Sequence, residues 1–236
     1  MFTLFFVDDL PTTVGQSYEF ENDDANHAIR VLRMQAGAEF MLSDGKGSWS
    51  QVVAQEVKKK FMQVRVLESG FQEPLATTIT VVQALPKGDR AKEAIELLTE
   101  AGVDRIVPWS SARSIGKGSD KFAITAREAS KQSRRLRIPE VTDVATTAQI
   151  CDAIKVSDLA IVFHESATAK LSDQVSSHNV EYLLIIIGPE GGITDEEIAA
   201  FTECGAKVAL MGRPVLRSAH AGIAAVSAVS ALLRVG

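Results

Sequence analysis

Glu181-Tyr-Leu-Leu-Ile-Ile-Ile187 places six apolar residues in a row behind one acid. A strand with one wet face alternates apolar and polar residues. An unbroken run needs cover on both faces, as in a parallel sheet between two layers of helix. The run ends directly on Gly188-Pro-Glu-Gly-Gly-Ile-Thr194. Thr194, with Glu197 three residues on, reads as a capping box that opens a helix over Asp195–Cys204. Strand, glycine loop and capped helix in that order commit this part of the chain to an α/β fold.

The neighbouring sequence repeats the alternation. Strand Thr78–Ala84, helix Arg90–Ala101, strand Arg105–Pro108 and a basic helix over Lys121–Leu136 come first. A helix near Thr147–Lys155, strand Asp158–Phe163, strand Lys207–Met211 and helix Ser218–Leu233 complete the pattern. In the first of these helices Ala91, Ala94, Ile95, Leu98 and Ala101 share one face. The last is apolar all round and rich in small residues, which suits a buried helix better than a membrane span. Residues 1–70 differ: Phe2–Val7, Glu39–Ser43, Ser48–Val57 and Phe61–Leu67 are β-prone. Gly37, Asp44-Gly-Lys-Gly47 and Lys58-Lys-Lys60 punctuate them. One helix interrupts over Asp23–Leu32, with His27, Ala28, Val31 and Leu32 as its stripe. The pattern is that of a small β-barrel, followed by a linker around Ser69–Thr77 that contains Gly70 and Pro74. Two domains are expected, 1–72 and 73–236.

Composition narrows the function. At 46% hydrophobic and 23% charged, the 236 residues are not a disordered, collagenous or coiled-coil chain. Cys151 and Cys204 cannot make a disulfide framework or a four-thiolate zinc site, so a reducing cytoplasm is expected. His27, His164, His178 and His220 have no metal-ligand spacing, and no metal is expected. No secretory leader is expected either, since Met1–Val7 lacks a basic start and runs into Asp8-Asp9. The dinucleotide fingerprint, the P-loop and the nucleophile elbow are all missing. Net charge is −5, yet residues 113–137 hold eight bases and two acids. That stretch is +6 within a chain otherwise at −11, enough for a local phosphate-binding patch.

Some side chains stand out on pattern alone. Met211-Gly-Arg-Pro-Val-Leu-Arg217 is a second glycine loop between a strand and a helix. Loops at neighbouring strand ends are where open α/β sheets bind ligands. Arg217 sits at a helix start, where the dipole disfavours a cation. His164-Glu165 also follows a strand. Arg127, Lys131, Arg134 and Arg135 fall at i, i+4, i+7 and i+8, one face of the expected basic helix, with Gln132 and Ser133 beside them.

Taken together, these motifs resemble the RsmE family. They are His27-Ala-Ile-Arg-Val-Leu-Arg33, Gly37, Asp44-Gly-Lys-Gly47, Lys87, Glu100-Ala-Gly-Val103, Ile106-Val-Pro108 and Arg113-Ser114. Gln132-Ser133-Arg134, Pro139, Ile187-Gly-Pro-Glu-Gly-Gly-Ile-Thr194 and Leu216-Arg217 follow in order. Members of that family are SPOUT-superfamily methyltransferases acting on N3 of a uridine in 16S ribosomal RNA. The resemblance implies a PUA-like N-terminal barrel and a mostly parallel, trefoil-knotted SPOUT domain in a homodimer. It implies S-adenosyl-L-methionine (SAM) held by three loops: Phe163, His164 and Glu165; Ile187, Gly188, Pro189, Glu190, Gly191 and Gly192; Met211, Gly212, Val215 and Leu216. It implies 16S rRNA, within the small ribosomal subunit, met by Arg30, Arg33, Arg113, Arg127, Lys131 and Arg135. Arg134 and Arg217 become candidates for stabilising a uracil anion, and His220 for taking the N3 proton.

Three positions depart from the family's habit. Lys131 stands where a glutamate is common, Leu216-Arg-Ser-Ala-His-Ala221 lacks the usual glutamate, and the first 24 residues contain no arginine. Two other readings stay open at this point: a SPOUT ribose 2′-O-methyltransferase, and an rRNA-binding assembly factor without catalysis.

Overall fold

The computed structural model describes residues 2–88, 90–116, 118–175, 179–212 and 214–234. Lys117, His178 and Arg213, singled out in the sequence, lie outside the described residues. The chain divides into two compact units: Met1–Pro74 with Ser130–Ile138, and Leu75–Ala129 with Pro139–Gly236.

The first unit holds β1 (Leu4–Phe6), β2 (Ser17–Phe20), α1 (Asp23–Arg30), β3 (Glu39–Ser43), β4 (Ser48–Val57) and β5 (Met62–Phe71). The strands form a mixed sheet in the order β1-β3-β4-β5-β2, with β1 parallel to β3 and the other pairs antiparallel. Alternate residues of the strands point inward, and Phe5, Phe20 and Phe40 meet there with ring centroids 5.5–5.7 Å apart. Half-exposed β2 carries too short an alternation to be read in advance. β5 continues through Gly70, which the sequence placed in a linker. Gly70 lies opposite Trp49, and a Cβ there would stand 2.6 Å from the indole.

α1 does not bury the stripe expected of it. Asp24, Ala25 and Ala28 face inward, while His27, Val31 and Leu32 are exposed. Polar partners set this rotation. Asn22 caps the helix by accepting from the Ala25 N–H at 2.9 Å, and its amide donates to the Phe6 carbonyl. Asp24 accepts from the Phe6 N–H at 3.3 Å and from Lys131 Nζ at 2.5 Å, in an ion pair with little solvent access.

Lys131 reaches Asp24 because the chain enters the first unit a second time. The Ile138 N–H donates to the Gly45 carbonyl at 2.9 Å, and the Gly47 N–H to the Leu136 carbonyl at 3.2 Å. Arg137 donates twice to the Gln72 carbonyl and lies 5.1 Å over the Phe71 ring. Gly45 and Gly47 have φ of +73° and +112°. A Cβ on Gly45 would sit 2.6 Å from Ile138, and one on Gly47 2.7 Å from the Gln72 carbonyl. Asp44-Gly-Lys-Gly47 therefore needs its glycines both for the turn and for the chain laid across it.

The second unit holds β6 (Thr78–Ala84), α2 (Arg90–Glu100), β7 (Arg105–Trp109), β8 (Glu140–Val141), α4 (Thr147–Val156) and β9 (Leu159–Phe163). Then come α5 (Leu171–Gln174), β10 (Tyr182–Ile187), α6 (Asp195–Glu203), β11 (Lys207–Ala209) and α7 (Ser218–Leu233). α3 (Phe122–Ser133) starts in this unit and ends in the other. It stops before the expected Leu136. Its end is a Schellman turn, with Arg135 N–H on the Ser130 carbonyl and Arg134 N–H on that of Lys131. Arg134 takes φ +58°, a left-handed position where glycine is preferred by about 1 kcal/mol. Arg127, Lys131, Arg134 and Arg135 therefore do not share one helix face.

The second sheet is parallel throughout, in the order β11-β9-β10-β6-β7-β8. β10 explains its own composition. Leu183, Ile185 and Ile187 join the core that includes Leu98 of α2 and Val226 of α7, while Leu184 and Ile186 join the one that includes Ile150 of α4 and Phe201 of α6. Gly222 lets α7 lie close to α2, since a Cβ there would stand 2.7 Å from Leu98. β11 ends two residues short of the expected Met211. No helix among the described residues is long and apolar enough to cross a membrane.

Asp24→Ala removes the acceptor shared by Lys131 and the Phe6 N–H and is expected to cost about 3 kcal/mol. Urea denaturation measures it, and an unchanged midpoint would show that the pair holds nothing.

Candidate active site

β11, β9 and β10 are neighbours and parallel, so their C-terminal ends share one edge of the sheet. The loops that leave them enclose a cavity of about 410 Å³. Phe163, His164 and Glu165 line it after β9; Ile187, Gly188, Pro189, Glu190 and Gly192 after β10; Met211, Gly212, Val215 and Leu216 after β11. Arg217 lines it as well. Arg90, Ile193, Leu210, Pro214, Ser218 and Ala221 also line it; Ile193 and Pro214 fall within the two glycine loops read from the sequence, and the other four were not expected at the site. Gly191 is not on the lining; its carbonyl accepts from Arg113 Nη1 at 2.9 Å, and its Cβ direction faces Arg113.

Hydrogen bonds fix the loops to one another. Gly188 has no room for a side chain, because a Cβ would stand 2.6 Å from Ile193, which folds back over it. The Gly188 carbonyl accepts from Ser218 Oγ at 2.7 Å, and Ser218 Oγ accepts from Gln83 Nε2 at 3.0 Å. This string joins β6, the start of α7 and the β10 loop. Gln83 Oε1 is buried without a partner among the described residues. A polar residue inside the apolar strand Thr78–Ala84 was the available signal for it. His164 Nδ1 lies 2.8 Å from Ser166 Oγ, and the His164 N–H donates to the Ala209 carbonyl, tying the first loop to β11.

Glu197 performs the other junction. Its carboxylate accepts from the Thr194 N–H at 3.0 Å and from the Ala112 N–H at 2.8 Å, while Thr194 Oγ1 accepts from the Glu197 N–H. The capping box read from the sequence is present, and the same carboxylate also anchors the loop after β7. Glu196 is held below the ordinary carboxylate range, chiefly by its own backbone N–H, then by Thr194 and Arg113. Burial, with a hydrogen bond to Cys204, pushes the Cys151 thiol up to about 11, so it stays a protonated, unreactive thiol at neutral pH.

The cations divide between the two units. Arg217 is the N-cap of α7, exposed, and its guanidinium has no partner among the described residues. His220, one turn on, lies off the cavity lining with Nε2 3.1 Å from Glu93 Oε1. Arg127 is half-buried in the second unit. Arg30, Arg33, Lys131, Arg134 and Arg135 belong to the first; Lys131 is held by Asp24, and Arg134 is exposed. Glu197→Ala removes a helix cap and strands a partly buried N–H, and is expected to cost roughly 2–3 kcal/mol. Thermal and urea unfolding measure it; a loss below half of that would mean solvent replaces the carboxylate.

Residues 73–230 match the family of RNA methyltransferase domains, and residues 20–67 the RNA methyltransferase PUA domain. Ribosomal RNA small subunit methyltransferase E of Mycobacterium bovis is 36% identical over 97% of this chain and 91% of its own. The Bacillus subtilis protein of the same name is 29% identical over 91% of this chain and 90% of its own. A Legionella pneumophila structure in complex with the bound cofactor SAM matches with a TM-score of 0.87 at 25% identity, covering 98% of each chain. Ribosomal RNA small subunit methyltransferase E from Neisseria gonorrhoeae, bound to S-adenosyl methionine, shares the fold at a TM-score of 0.87 and 24% identity, again over 98% of each chain. With a PUA domain ahead of an RNA methyltransferase domain, the chain belongs to the ribosomal RNA small subunit methyltransferase E family.

Proposed function

We propose that this protein transfers a methyl group from SAM to N3 of a uridine in the 16S rRNA of the small ribosomal subunit. The observation that carries this reading is the cavity at the ends of β11, β9 and β10, walled by backbone-rich loops with Arg217, whose guanidinium has no partner among the described residues, in its lining. Its volume suits a ligand of SAM's size. Its lining suits one too: glycine backbone at Gly188, Gly192 and Gly212 beside Phe163, Ile187, Met211, Val215 and Leu216. These three loops hold the cofactor in this reading, and Arg113 steadies the middle one through the Gly191 carbonyl. A trefoil knot through the loops and a homodimer belong to the same reading.

Bound SAM supplies a methyl group already activated on a sulfonium, so the protein's task is alignment. Uracil N3 is protonated at neutral pH and must lose that proton. Arg217 and Arg134 are the cations assigned to the negative charge that develops on O2 and O4. His220, oriented by Glu93, is assigned the proton. N3 lies on the pairing edge, so the uridine is met unpaired. Arg30, Arg33, Arg127 and Arg135 are assigned to the RNA backbone. The charge of Lys131 is engaged by Asp24, which gives Lys131 the task of holding the 130–138 segment.

The test is methylation of small subunits that lack the modification, with digested nucleosides resolved by chromatography and mass spectrometry. 3-Methyluridine is expected. A ribose methyl would overturn the acceptor atom, and no methyl at all would overturn the activity. Arg217→Ala is expected to lower turnover about 100-fold, with SAM affinity by calorimetry unchanged. Arg134→Gly relieves a left-handed arginine and is expected to raise stability by about 0.5–1 kcal/mol while turnover falls; retained turnover would remove Arg134 from the mechanism.

A further inference from the structure

Gln83 is fully buried in β6. It follows the period of Ile79 and Val81, which places it on the face of the sheet that α2 and α7 cover. A strand position of that kind takes an aliphatic side chain, as its two predecessors on that face do. The amide instead brings polar atoms into an apolar layer. Gln83 Oε1 has no hydrogen-bond partner among the described residues. A Cβ on Gly222 of α7 would stand 3.5 Å from it. A buried acceptor left unsatisfied costs stability that an apolar residue of the same length would keep. Folding alone does not ask for glutamine here.

What the amide does is set a direction. Gln83 Nε2 donates to the Ala84 carbonyl at 3.1 Å and to Ser218 Oγ at 3.0 Å. Turning the amide over would set its oxygen against the Ala84 carbonyl oxygen, which fixes the nitrogen on this side. A serine hydroxyl has one proton. With its oxygen accepting from Gln83, that proton goes to the Gly188 carbonyl, 2.7 Å away. The string therefore runs one way, from β6 through the first residue of α7 to the loop after β10. β6 lies inside the sheet between β10 and β7, and Gln83 is in register with Ile187, the residue before Gly188.

The string meets the cavity at two places that the chemistry must keep in step. Gly188 lies on the loop assigned to the cofactor, and Ser218 follows Arg217, assigned to the uracil anion; all three line the cavity. The loop has other ties, since Ile193 folds over Gly188 and Arg113 holds the Gly191 carbonyl. Arg217 caps α7 without a side-chain hydrogen bond. We infer, on the rRNA-methyltransferase reading, that Gln83 is a positioning residue for methyl transfer: by aiming the Ser218 hydroxyl at the Gly188 carbonyl, it keeps Arg217 in register with the cofactor loop. The loop keeps its other ties without it, so its loss falls on turnover rather than on cofactor binding.

The experiment measures 3-methyluridine formation against SAM concentration on small subunits that lack the modification, and amide hydrogen exchange of the protein without SAM. Gln83→Met keeps the side-chain length and removes the string. It is expected to melt within roughly 4 °C of wild type. It is expected to lower kcat about tenfold and to leave KM for SAM within about threefold. Ser218→Ala is expected to lower kcat to the same extent, and the double variant no further than either alone. In both single variants the amides of residues 217–221 are expected to exchange faster. Wild-type kcat or wild-type exchange overturns the inference. So does a raised KM at constant kcat, which gives the string to the cofactor loop alone, and so do losses that multiply in the double variant. Should Gln83→Met fail to fold, Ser218→Ala, on the cavity wall, carries the same test through kcat, KM and exchange. If the wild-type protein forms no 3-methyluridine, the rRNA-methyltransferase reading itself falls.

Discussion

Parallel pairing of β11 with β9 and of β9 with β10 sends three chain exits to a single edge of the sheet. Had any of these strands run the other way, its loop would have left from the opposite edge. The cavity is thus a product of topology before it is a product of side chains. Its loops are then locked by a few buried polar groups. Ser218 ties β6 and α7 to the Gly188 carbonyl, and Glu197 ties α6 to the loop after β7. A rigid cradle of backbone groups can present hydrogen-bonding atoms to a ligand without spending side-chain entropy.

Three arginines, Arg33, Arg134 and Arg234, stand in left-handed turns where glycine would be easier. Each follows a helix, and the first two lie in the first unit. Strain that persists at exposed charged positions is more readily understood as a demand of binding than of folding. The buried pair of Asp24 and Lys131 supplies the complementary structural contribution, since it joins α1 to the end of α3.

Legibility followed sequence distance. β10 and its capped helix could be read because a double-sided apolar run and a Thr-x-x-Glu box are local signals. α7 was legible to the residue at both ends. The end of α3 was not, because its Schellman turn uses Arg134 in place of the glycine that marks such turns. The buried face of α1 was misread because Asp24, a charged residue, is turned inward by Lys131, more than 100 positions away. β2 and β8 are too short to show a period. At the candidate site, loop positions after strands were visible in advance. Gln83, Ser218 and Arg90 were not, because their places depend on which strands and helices become neighbours.

The first unit is written in two pieces, Met1–Pro74 and Ser130–Ile138. A gene cut after Pro74 would yield a sheet whose Gly45–Gly47 floor has lost the strip that covers it. It would also leave the carboxylate of Asp24 without its lysine. Such a fragment is not a transplantable module. Grafting this unit onto another enzyme would require a host that tolerates an insertion, with the strip delivered from within the host's own sequence. Exchange by simple end-to-end fusion is therefore closed to this architecture, and its two parts are bound to diversify together.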